Sequence, residues 1–271
     1  LYAARAGKSV VVLEGNAPGG QINFSPLVEN YPGLPGVSGL QLSEALTRQA
    51  EEQGVELDYA QVLGFRPEEG GFAVETDGGP LHCRALILAP GTRHRPLGLE
   101  GEEALTGQGV SYCAVCDGFF CRGKEVAVLG AGTYALHEAG VLLPLAKRVT
   151  LLTNGDPAPE EFPQDLDLDT RPIAALVGES GILSAVRFAD GGALEVCRLF
   201  VALGTAGSGD LARKVGLLTE NGKIVVDGTM ATNVPGLFAA GDCTGGLPQV
   251  ATAVAQGAQA GLSAVRYLQN R

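Results

Sequence analysis

The fold of this chain is decided by residues 124–135, which read KEVAVLGAGTYA. The first six residues include the apolar run 126–129 and are typical of a buried strand, and residues 130–135 match the turn motif G-x-G-x-x-A. A helical pattern of apolar residues continues to Leu143, and another apolar strand follows at 148–153. Strand, glycine turn, helix and strand predict a βαβ unit whose helix N-terminus faces a pyrophosphate.

This glycine turn is a candidate nucleotide site formed by Gly130, Gly132 and Ala135, and we treat it as the second such site in the chain. The motif is weak by itself and gains specificity from the strand and helix on either side of it. A tight βα turn that binds no ligand remains the alternative interpretation.

A unit of the same kind begins the chain. A helix-like segment stops at Gly7, and the apolar strand 9–13 follows and ends on Glu14. An acid at this strand end hydrogen-bonds the adenosine ribose in dinucleotide-binding units, although a solvated strand end is an equally open interpretation. The first strand and glycine turn of such a unit are not in the sequence, so we expect the displayed chain to lack about 20 or more N-terminal residues.

Two βαβ units predict two nucleotide-type domains. A strand at 86–89 leads into a Pro-Gly-Thr turn and a polar stretch, while near the other end a strand at 236–240 leads into Gly241-Asp242. A long helix of small residues follows at 249–268. We therefore expect an α/β protein with two Rossmann-like, three-layer domains, the second inserted into the first. The expected bounds are 1–106 and 232–271 for the first domain and 107–231 for the second.

The composition excludes several classes of partner. The 271 residues suffice for two domains of ordinary size, and 40 of them are glycine, which tight turns and close approaches to a ligand require. The formal net charge of −11 would repel the phosphates of a nucleic acid. No apolar run approaches the roughly 18 residues of a membrane span. We therefore expect neither a nucleic-acid partner nor a membrane-spanning segment.

The spacing of the cysteines indicates the chemistry. Of the six cysteines, only Cys113 and Cys116 form a C-x-x-C pair, whose sulfurs can close a small disulfide ring and reopen it. A structural zinc site would need a second such pair, although Cys121 leaves a three-thiol site as a minor alternative. The other cysteines are most simply interpreted as small buried apolar residues, namely Cys83, Cys121, Cys197 and Cys243.

Asp117 directly follows the second thiol of the pair. A carboxylate at this position is placed to move a proton during thiol–disulfide exchange. The alternative is a turn residue before Gly118.

Over its whole length the chain resembles the low-molecular-weight thioredoxin reductase family. The matching motifs occur in the order of the family and span the sequence, which makes the resemblance specific. They are Leu13-Glu14, Pro18-Gly19-Gly20-Gln21-Ile22, Glu29-Asn30-Tyr31-Pro32-Gly33, Cys113-Ala114-Val115-Cys116-Asp117-Gly118 and Phe238-Ala239-Ala240-Gly241-Asp242.

The resemblance implies an FAD cofactor and a role for each redox residue. Cys116 is implied to face the flavin, Cys113 to attack the disulfide of the partner, and Asp117 to act as the acid–base group. Phe119 and Phe120 are implied to contribute to the docking surface, although adjacent aromatic residues are also common in a core. The residues implied to bind FAD are Glu14, Gly19, Gly20, Gln21, Asn30, Ala89, Gly91, Gly241, Asp242, Gln249, Val250 and Ala251.

The resemblance further implies a cytoplasmic homodimer that reduces thioredoxin or a similar dithiol protein. In the family, the inserted domain rotates to present its cysteines to the flavin and to the partner in turn. Two alternatives stay open. One is a dithiol oxidase that closes small-molecule disulfides and passes electrons to oxygen, and the other is a non-enzymatic flavin-binding redox sensor.

The sequence departs from the NADPH-dependent members of the family at the end of the strand 148–153. Where they have a His-Arg-Arg run that holds the 2′-phosphate, this chain has Thr153-Asn154-Gly155. No Lys or Arg occurs from Val149 to Thr170, and Tyr134 replaces a small residue of the glycine turn. We therefore expect weak NADPH binding and another electron donor, such as ferredoxin or a second flavoprotein. The acidic residues of this segment are Asp156, Glu160, Glu161, Asp165, Asp167 and Asp169.

Overall fold

The computed structural model describes residues 1–15, 18–94, 97–99, 101–159, 162–203, 205–206 and 216–270. Cα packing divides the chain into two compact units, one of Leu1–Thr92 with Gly207–Arg271 and one of Arg93–Ala206. The second unit therefore interrupts the first in sequence. These divisions fall earlier in the chain than the domain bounds expected from the sequence, and the cofactor assigned to each domain stays a prediction.

In the described residues, short helices and strands alternate with many turns. The helices are α1 (Tyr2–Arg5), α2 (Gly39–Glu51), α3 (Glu102–Leu105), α4 (Ala114–Asp117), α5 (Thr133–Leu142) and α6 (Val250–Gln269), with 3-10 turns at Gly20–Phe24 and Gly118–Cys121. The strands are β1 (Val11–Leu13), β2 (Glu56–Asp58), β3 (Val62–Glu68), β4 (Gly71–Thr76), β5 (Gly79–Cys83), β6 (Leu86–Leu88), β7 (Arg93–His94), β8 (Val110–Ser111), β9 (Glu125–Leu129), β10 (Arg148–Leu152), β11 (Asp167–Asp169), β12 (Ile173–Glu179), β13 (Ile182–Phe188), β14 (Ala193–Glu195), β15 (Arg198–Val201), β16 (Thr205–Ala206), β17 (Thr219–Glu220), β18 (Lys223–Ile224) and β19 (Leu237–Ala239).

The inserted unit is built on a five-stranded parallel sheet in the order β11-β10-β9-β15-β8. The central strand β9 is the apolar run predicted from the sequence, and it carries the glycine turn at its carboxyl end. Strands β11-β10-β9-β15 follow the 3-2-1-4 order of nucleotide-binding α/β folds, in which ligands lie beyond the carboxyl ends of the strands.

The two faces of this sheet are covered by different layers, because successive side chains of a strand point to opposite faces. Val126 and Val128 pack with Ala139 and Leu142 of helix α5. Ala127 and Leu129 belong to a second cluster with residues of the antiparallel sheet β12-β13-β14. Helix, parallel sheet and antiparallel sheet confirm the predicted three-layer α/β architecture for this unit.

The first unit contains the parallel strand pairs β1-β2 and β6-β19 and the antiparallel sheet β3-β4-β5. Helix α2 begins at a capping box, in which Ser38 Oγ accepts from the Gln41 backbone N–H and the Gln41 side chain accepts from the Ser38 N–H. Helix α6 lays its small residues Ala260 and Ala264 against Phe238 of β19, close to where the sequence placed a long helix. Among the described residues, no helix has both the length and the apolarity that a membrane crossing requires.

Candidate active site

A disulfide joins Cys113 and Cys116 at the carboxyl end of strand β8, with their Cα atoms 5.3 Å apart. Cys113 is the N-cap of helix α4, and its Sγ accepts the backbone N–H of Cys116 at 3.2 Å. Cys113 is half-buried, whereas Cys116 is exposed. The backbone donor aimed at Cys113 Sγ favours negative charge on that sulfur once the disulfide opens.

The backbone around the disulfide is held from two sides by buried carboxylates. Glu138 of helix α5 is 6% exposed and accepts the Ala114 N–H at 2.6 Å. Burial raises the pKa of Glu138, and the Ala114 N–H and His137 partly oppose that rise. Glu102 is 5% exposed and accepts the Tyr112 hydroxyl at 2.7 Å. The sequence reasoning missed both acids, although Glu138 stands out as a charged residue in an otherwise apolar helix.

Asp117, the predicted acid–base residue, ends helix α4 and pairs with Arg198 at the start of β15. Arg198 Nη1 lies 3.0 Å from Asp117 Oδ2, and the exposed fractions of the two side chains are 16% and 17%. The guanidinium supplies a permanent positive charge and orients the carboxylate. The sequence reasoning missed Arg198, because nothing local to either residue indicates the pairing.

Two of the four remaining cysteines depart from the predicted role of small buried residues. Cys121 and Cys243 are buried as expected, while Cys83 and Cys197 are half-buried. The pKa of Cys197 is lowered to about 7, chiefly by a hydrogen bond from Cys121. The prediction of burial is therefore wrong for Cys83 and Cys197, which are only half-buried.

The predicted flavin residues Gly19, Gly20 and Gln21 form a tight turn in the first unit. Gly19 has φ 102°, and a side chain there would collide with the side chains of Ser43 and Asn23. Gly20 has φ 55° and open space around it, so its backbone is accessible to a ligand. Gln21 Nε2 donates to the Thr92 carbonyl.

Asn23 was not predicted from the sequence but belongs to this turn. Its Nδ2 donates to the Pro18 carbonyl at 2.8 Å, while its buried Oδ1 has no hydrogen-bond partner in the described part of the chain. A buried acceptor without a donor carries a free-energy cost, which a ligand donor would remove.

Asn30 and Gln249 are brought together although they lie far apart in the sequence. Asn30 Nδ2 donates to Gln249 Oε1 at 3.0 Å. Gln249 is the N-cap of α6, and in the described residues no side-chain hydrogen bond caps this helix, whose first residues are Val250 and Ala251. The backbone N–H groups of the first turn therefore form a site for negative charge.

The parallel pairing of β6 with β19 places two predicted turns at the same edge of a sheet. Ala89 and Gly91 follow β6, and Gly91 has φ 64°. Gly241, with φ 81°, and Asp242 follow β19. Glu14 lies elsewhere, after β1 in the β1-β2 pair, where its backbone N–H donates to the Asp58 carbonyl at 3.0 Å.

Asp242 lies beside Lys223, which the sequence reasoning missed. Burial raises the pKa of Asp242, and the charge of Lys223 partly opposes that rise. Lys223 Nζ donates to the Asp242 carbonyl at 2.7 Å, and burial lowers the pKa of this lysine. A cation next to Asp242 offsets part of the cost of burying its carboxylate.

The candidate second nucleotide site has the backbone that the glycine motif predicts. Gly130 has φ 148°, and a Cβ there would come within 2.6 Å of the Ala202 carbonyl oxygen and 2.8 Å of Ala135 Cβ. Gly132 is the N-cap of α5 and has open space around it. Tyr134 is half-buried and packs against the apolar cluster between α5 and the parallel sheet.

The segment 153–155, where the sequence lacks the expected arginines, follows β10 and forms a turn. Asn154 and Gly155 have φ of 54° and 93°, and Asn154 Oδ1 accepts the Ile173 N–H at 2.6 Å. Two of the nearby acids are paired with arginines that lie just outside the acidic segment, Asp167 with Arg148 and Asp169 with Arg171. Glu160 and Glu161 lie outside the described residues.

Comparison with known proteins places this arrangement in a family. Residues 1–257 match the family model described as pyridine nucleotide-disulphide oxidoreductase. A thioredoxin reductase from Listeria innocua is 33% identical over 284 residues, covering 99% of this chain and 89% of the relative. The solved thioredoxin reductase from Streptococcus pyogenes matches with a TM-score of 0.92 at 31% identity, over 100% of this chain and 93% of that chain. The atypical thioredoxin reductase TRi from Desulfovibrio vulgaris is 38% identical, with a TM-score of 0.56, over 100% of this chain and 93% of that chain.

The chain therefore belongs to the pyridine nucleotide-disulphide oxidoreductase family. Within that family, its similarity to thioredoxin reductases over nearly the whole sequence makes it a thioredoxin reductase-like, FAD-dependent disulfide oxidoreductase. The resemblance inferred from the motifs and the fold of two Rossmann-type domains are both confirmed.

Proposed function

We propose that this enzyme passes electrons from FAD through Cys113 and Cys116 to the disulfide of thioredoxin or a similar dithiol protein. The observation that carries the proposal is the closed Cys113–Cys116 disulfide, with the Asp117–Arg198 pair at the end of the same short helix. Dithiol exchange needs a reactive disulfide and a nearby group that transfers protons, and this arrangement provides both.

The first unit offers residues that fit FAD. The Gly19-Gly20 turn lets the backbone approach a ligand, the buried Asn23 Oδ1 lacks a donor, and the start of α6 presents backbone N–H groups. When bound, FAD supplies the electron pair that opens the disulfide. The residues we propose for binding are Glu14, Gly19, Gly20, Gln21, Asn30, Ala89, Gly91, Gly241, Asp242, Gln249, Val250 and Ala251.

The two cysteines then act in sequence. Opening of the disulfide takes up two electrons and two protons and leaves two thiols. The Cys113 thiolate attacks one sulfur of the partner disulfide, whose other sulfur leaves as a thiolate. The Cys116 thiolate next attacks Cys113 in the mixed disulfide, which releases the reduced partner and restores the Cys113–Cys116 bond. We assign the proton transfers to Asp117.

An apolar surface next to the disulfide supports a protein substrate. Val115, between the two cysteines, is 40% exposed, and Phe119 is 63% exposed. Phe120 is half-buried against Phe119, with ring centroids 6.1 Å apart. Exposed apolar groups around a reactive centre are typical of a docking site.

We infer a homodimer from the family alone, and light scattering tests it.

The electron donor is proposed to be something other than NADPH, such as ferredoxin or a second flavoprotein. Asn154, which occupies an arginine position of the NADPH-dependent relatives, uses its side chain to bind the Ile173 backbone. Arg148 and Arg171, which flank the acidic segment, pair with Asp167 and Asp169, and these carboxylates weaken the attraction of both arginines for a phosphate.

The test uses the FAD-loaded enzyme, reduced anaerobically with dithionite and freed of excess reductant, then mixed with oxidised thioredoxin. We expect two equivalents of thioredoxin dithiol per enzyme, one from the reduced cysteine pair and one from the reduced flavin, and none from the Cys113→Ser variant. Absence of dithiol from the parent enzyme would contradict the proposal. Oxygen uptake with small dithiols, without thioredoxin reduction, would instead identify the dithiol oxidase, and failure of both reactions would favour the redox sensor.

A further inference from the structure

A second pair of thiols lies next to the active site in the inserted unit. Cys121 ends the 3-10 turn after the disulfide helix, and Cys197 directly precedes Arg198. The side chains of Cys121 and Cys197 hydrogen-bond to each other. The Cys121 thiol also lies 3.7 Å from the Asp117 carbonyl oxygen. The catalytic mechanism proposed above uses neither sulfur.

The two thiols have different accessibility. Cys121 is fully buried, with 0% of its surface exposed, whereas Cys197 is half-buried. A reagent from solution therefore reaches Cys197 first, and Cys121 is protected behind it. This division matches that of an attacking thiol and a resolving thiol.

The two thiols also differ in their electrostatic surroundings. The hydrogen bond from Cys121 and the nearby charges of Lys124 and Arg198 lower the pKa of Cys197 to about 7, although burial acts against them. The same hydrogen bond, together with burial, raises the pKa of Cys121. The lowered pKa of Cys197 and its greater accessibility both favour Cys197 as the attacking thiol of the pair.

The backbone holds both residues in place. The Cys197 N–H donates to the Glu125 carbonyl at 3.0 Å, and the Lys124 N–H donates to the Cys121 carbonyl at 3.0 Å. Both cysteines therefore adjoin the beginning of β9. In the described residues, no group of three or more His, Cys, Asp or Glu side chains could hold a metal ion.

We propose that Cys197 and Cys121 form a second redox site, at which a hydroperoxide oxidises Cys197 and Cys121 then closes a disulfide with it. The Cys197 thiolate attacks the peroxide, the O–O bond breaks, and Cys197 sulfenic acid and hydroxide form when the oxidant is hydrogen peroxide. The Cys121 thiol then attacks the sulfenic sulfur, and water leaves as the disulfide forms. Two thiols lose two electrons, and the peroxide is reduced to hydroxide and water.

Oxidation of this pair would act on the active site through the residues that join them. Cys121 follows Asp117 by one turn, and Cys197 adjoins Arg198, the partner of Asp117. A bond between the two sulfurs removes the thiol proton that Cys121 directs at the Asp117 carbonyl oxygen and leaves Cys197 uncharged beside Arg198. We therefore expect oxidation to slow thioredoxin reduction, although the redox site itself does not depend on the proposed function.

The experiment measures the second pair in a Cys113→Ser/Cys116→Ser background, so that its outcome is independent of thioredoxin reduction. One equivalent of hydrogen peroxide is added at neutral pH, and free thiols and disulfide-linked peptides are determined by mass spectrometry. We expect loss of two thiols and a Cys121–Cys197 linkage. Retention of both thiols, or linkage of either one to Cys83, would overturn the proposal.

Two further variants of the same background test the order of the thiols. With Cys121→Ser no resolving thiol remains, so dimedone should trap sulfenic acid at Cys197. With Cys197→Ser, Cys121 should stay reduced, and circular dichroism checks that this variant is folded. Dimedone labelling at Cys83 in place of Cys197 would contradict the assignment.

Alkylation rates provide a measurement that needs no substitution at either residue of the pair. At neutral pH, Cys197 should react with iodoacetamide about fivefold or more faster than Cys83, because its greater thiolate fraction outweighs its lower intrinsic nucleophilicity. Cys83 is a matched control, since it is also half-buried and burial raises its pKa. Equal rates would reject Cys197 as the attacking thiol.

Discussion

Arg198 Nη1 lies 3.0 Å from Oδ2 of Asp117, and the two side chains are mostly buried. Arg198 belongs to the parallel sheet, while Asp117 ends the helix that begins at the redox disulfide. The position of the candidate proton donor is therefore set by a strand that lies far from it in the sequence. An ordinary turn residue would not need this contact, so substitutions at Arg198 test whether Asp117 has a catalytic role.

Replacing Arg198 by Ala should slow thioredoxin reduction by about tenfold to a hundredfold, because Asp117 loses the group that orients it. The free energy of unfolding should fall by about 1–3 kcal/mol, since a mostly buried carboxylate is left without its partner. Single-turnover dithiol release and denaturant titration measure the two effects. Arg187→Ala, at an exposed arginine of the same unit, is the matched control.

A double-mutant cycle shows whether Arg198 acts through Asp117. Asp117→Asn should slow turnover by about a hundredfold, and addition of Arg198→Ala should then cost little more. Fully additive losses would mean that Arg198 acts independently of Asp117. An unchanged rate in Asp117→Asn would make Asp117 a turn residue.

The two cysteines should respond differently to replacement by serine. Cys116→Ser should accumulate a mixed disulfide between Cys113 and thioredoxin, because the resolving thiol is missing. Cys113→Ser should form no such adduct. Non-reducing electrophoresis with mass spectrometry measures the adduct, and Cys83→Ser is the control. Unimpaired turnover in either of the two variants would reject the dithiol mechanism.

Glu138 should make stability depend on pH. Burial raises its folded-state pKa above the ordinary value of 4.5. The folded state therefore binds the proton more tightly than the unfolded state, and stability is lost as pH rises from about 4.5 through the folded pKa. Glu138→Gln, which keeps an acceptor for the Ala114 N–H, should lack this loss.

Denaturant titrations across the acidic to neutral range measure the dependence. Glu195→Gln, at an exposed position, is the control and should follow the parent protein. Parallel stability curves for the parent and Glu138→Gln would show that the buried carboxyl does not titrate differently in the folded state.

Gly19→Ala should weaken FAD binding by about tenfold or more, because its methyl group collides with Ser43 and Asn23 and displaces the turn. Gly54→Ala is the matched control, since Gly54 also has a positive φ of 81° but open space around it. The ratio of flavin to protein absorbance measures occupancy. Equal occupancy in the two variants would remove this turn from the flavin site.

NADPH should reduce the flavin slowly or not at all. A charge-assisted hydrogen bond to phosphate contributes about 1.5–3 kcal/mol, so the loss of two weakens binding by about two to four powers of ten. Anaerobic stopped-flow absorbance with NADPH, NADH and reduced ferredoxin compares the donors. Rapid flavin bleaching at micromolar NADPH would contradict this prediction and show that the protein is an NADPH-dependent reductase.

An NADPH site should be difficult to engineer at this turn by introducing arginines. Asn154 and Gly155 both have left-handed backbone, which an arginine adopts only with strain. Asn154 would in addition lose its hydrogen bond to Ile173. If arginine substitutions at this turn fail to restore NADPH use, backbone strain would account for the failure even though the positive charge has been supplied.

The sequence by itself determined the central strand β9, the glycine turn after it and the redox-active pair Cys113 and Cys116. These features are local. An apolar run predicts a buried strand, the glycine spacing predicts a tight turn before a helix, and two intervening residues bring the sulfurs together. The motifs along the chain also sufficed to identify the family and its inserted second domain.

Only the tertiary structure decided the partners of the reactive groups. The parallel register of β15 beside β9 fixes the place of Arg198, and with it the contact to Asp117. The contacts of Cys121 with Cys197 and of Glu138 with Ala114 likewise join distant segments. The physical reason is that charge pairing and thiol reactivity depend on which groups share a buried space, and that depends on how sheet and helices pack.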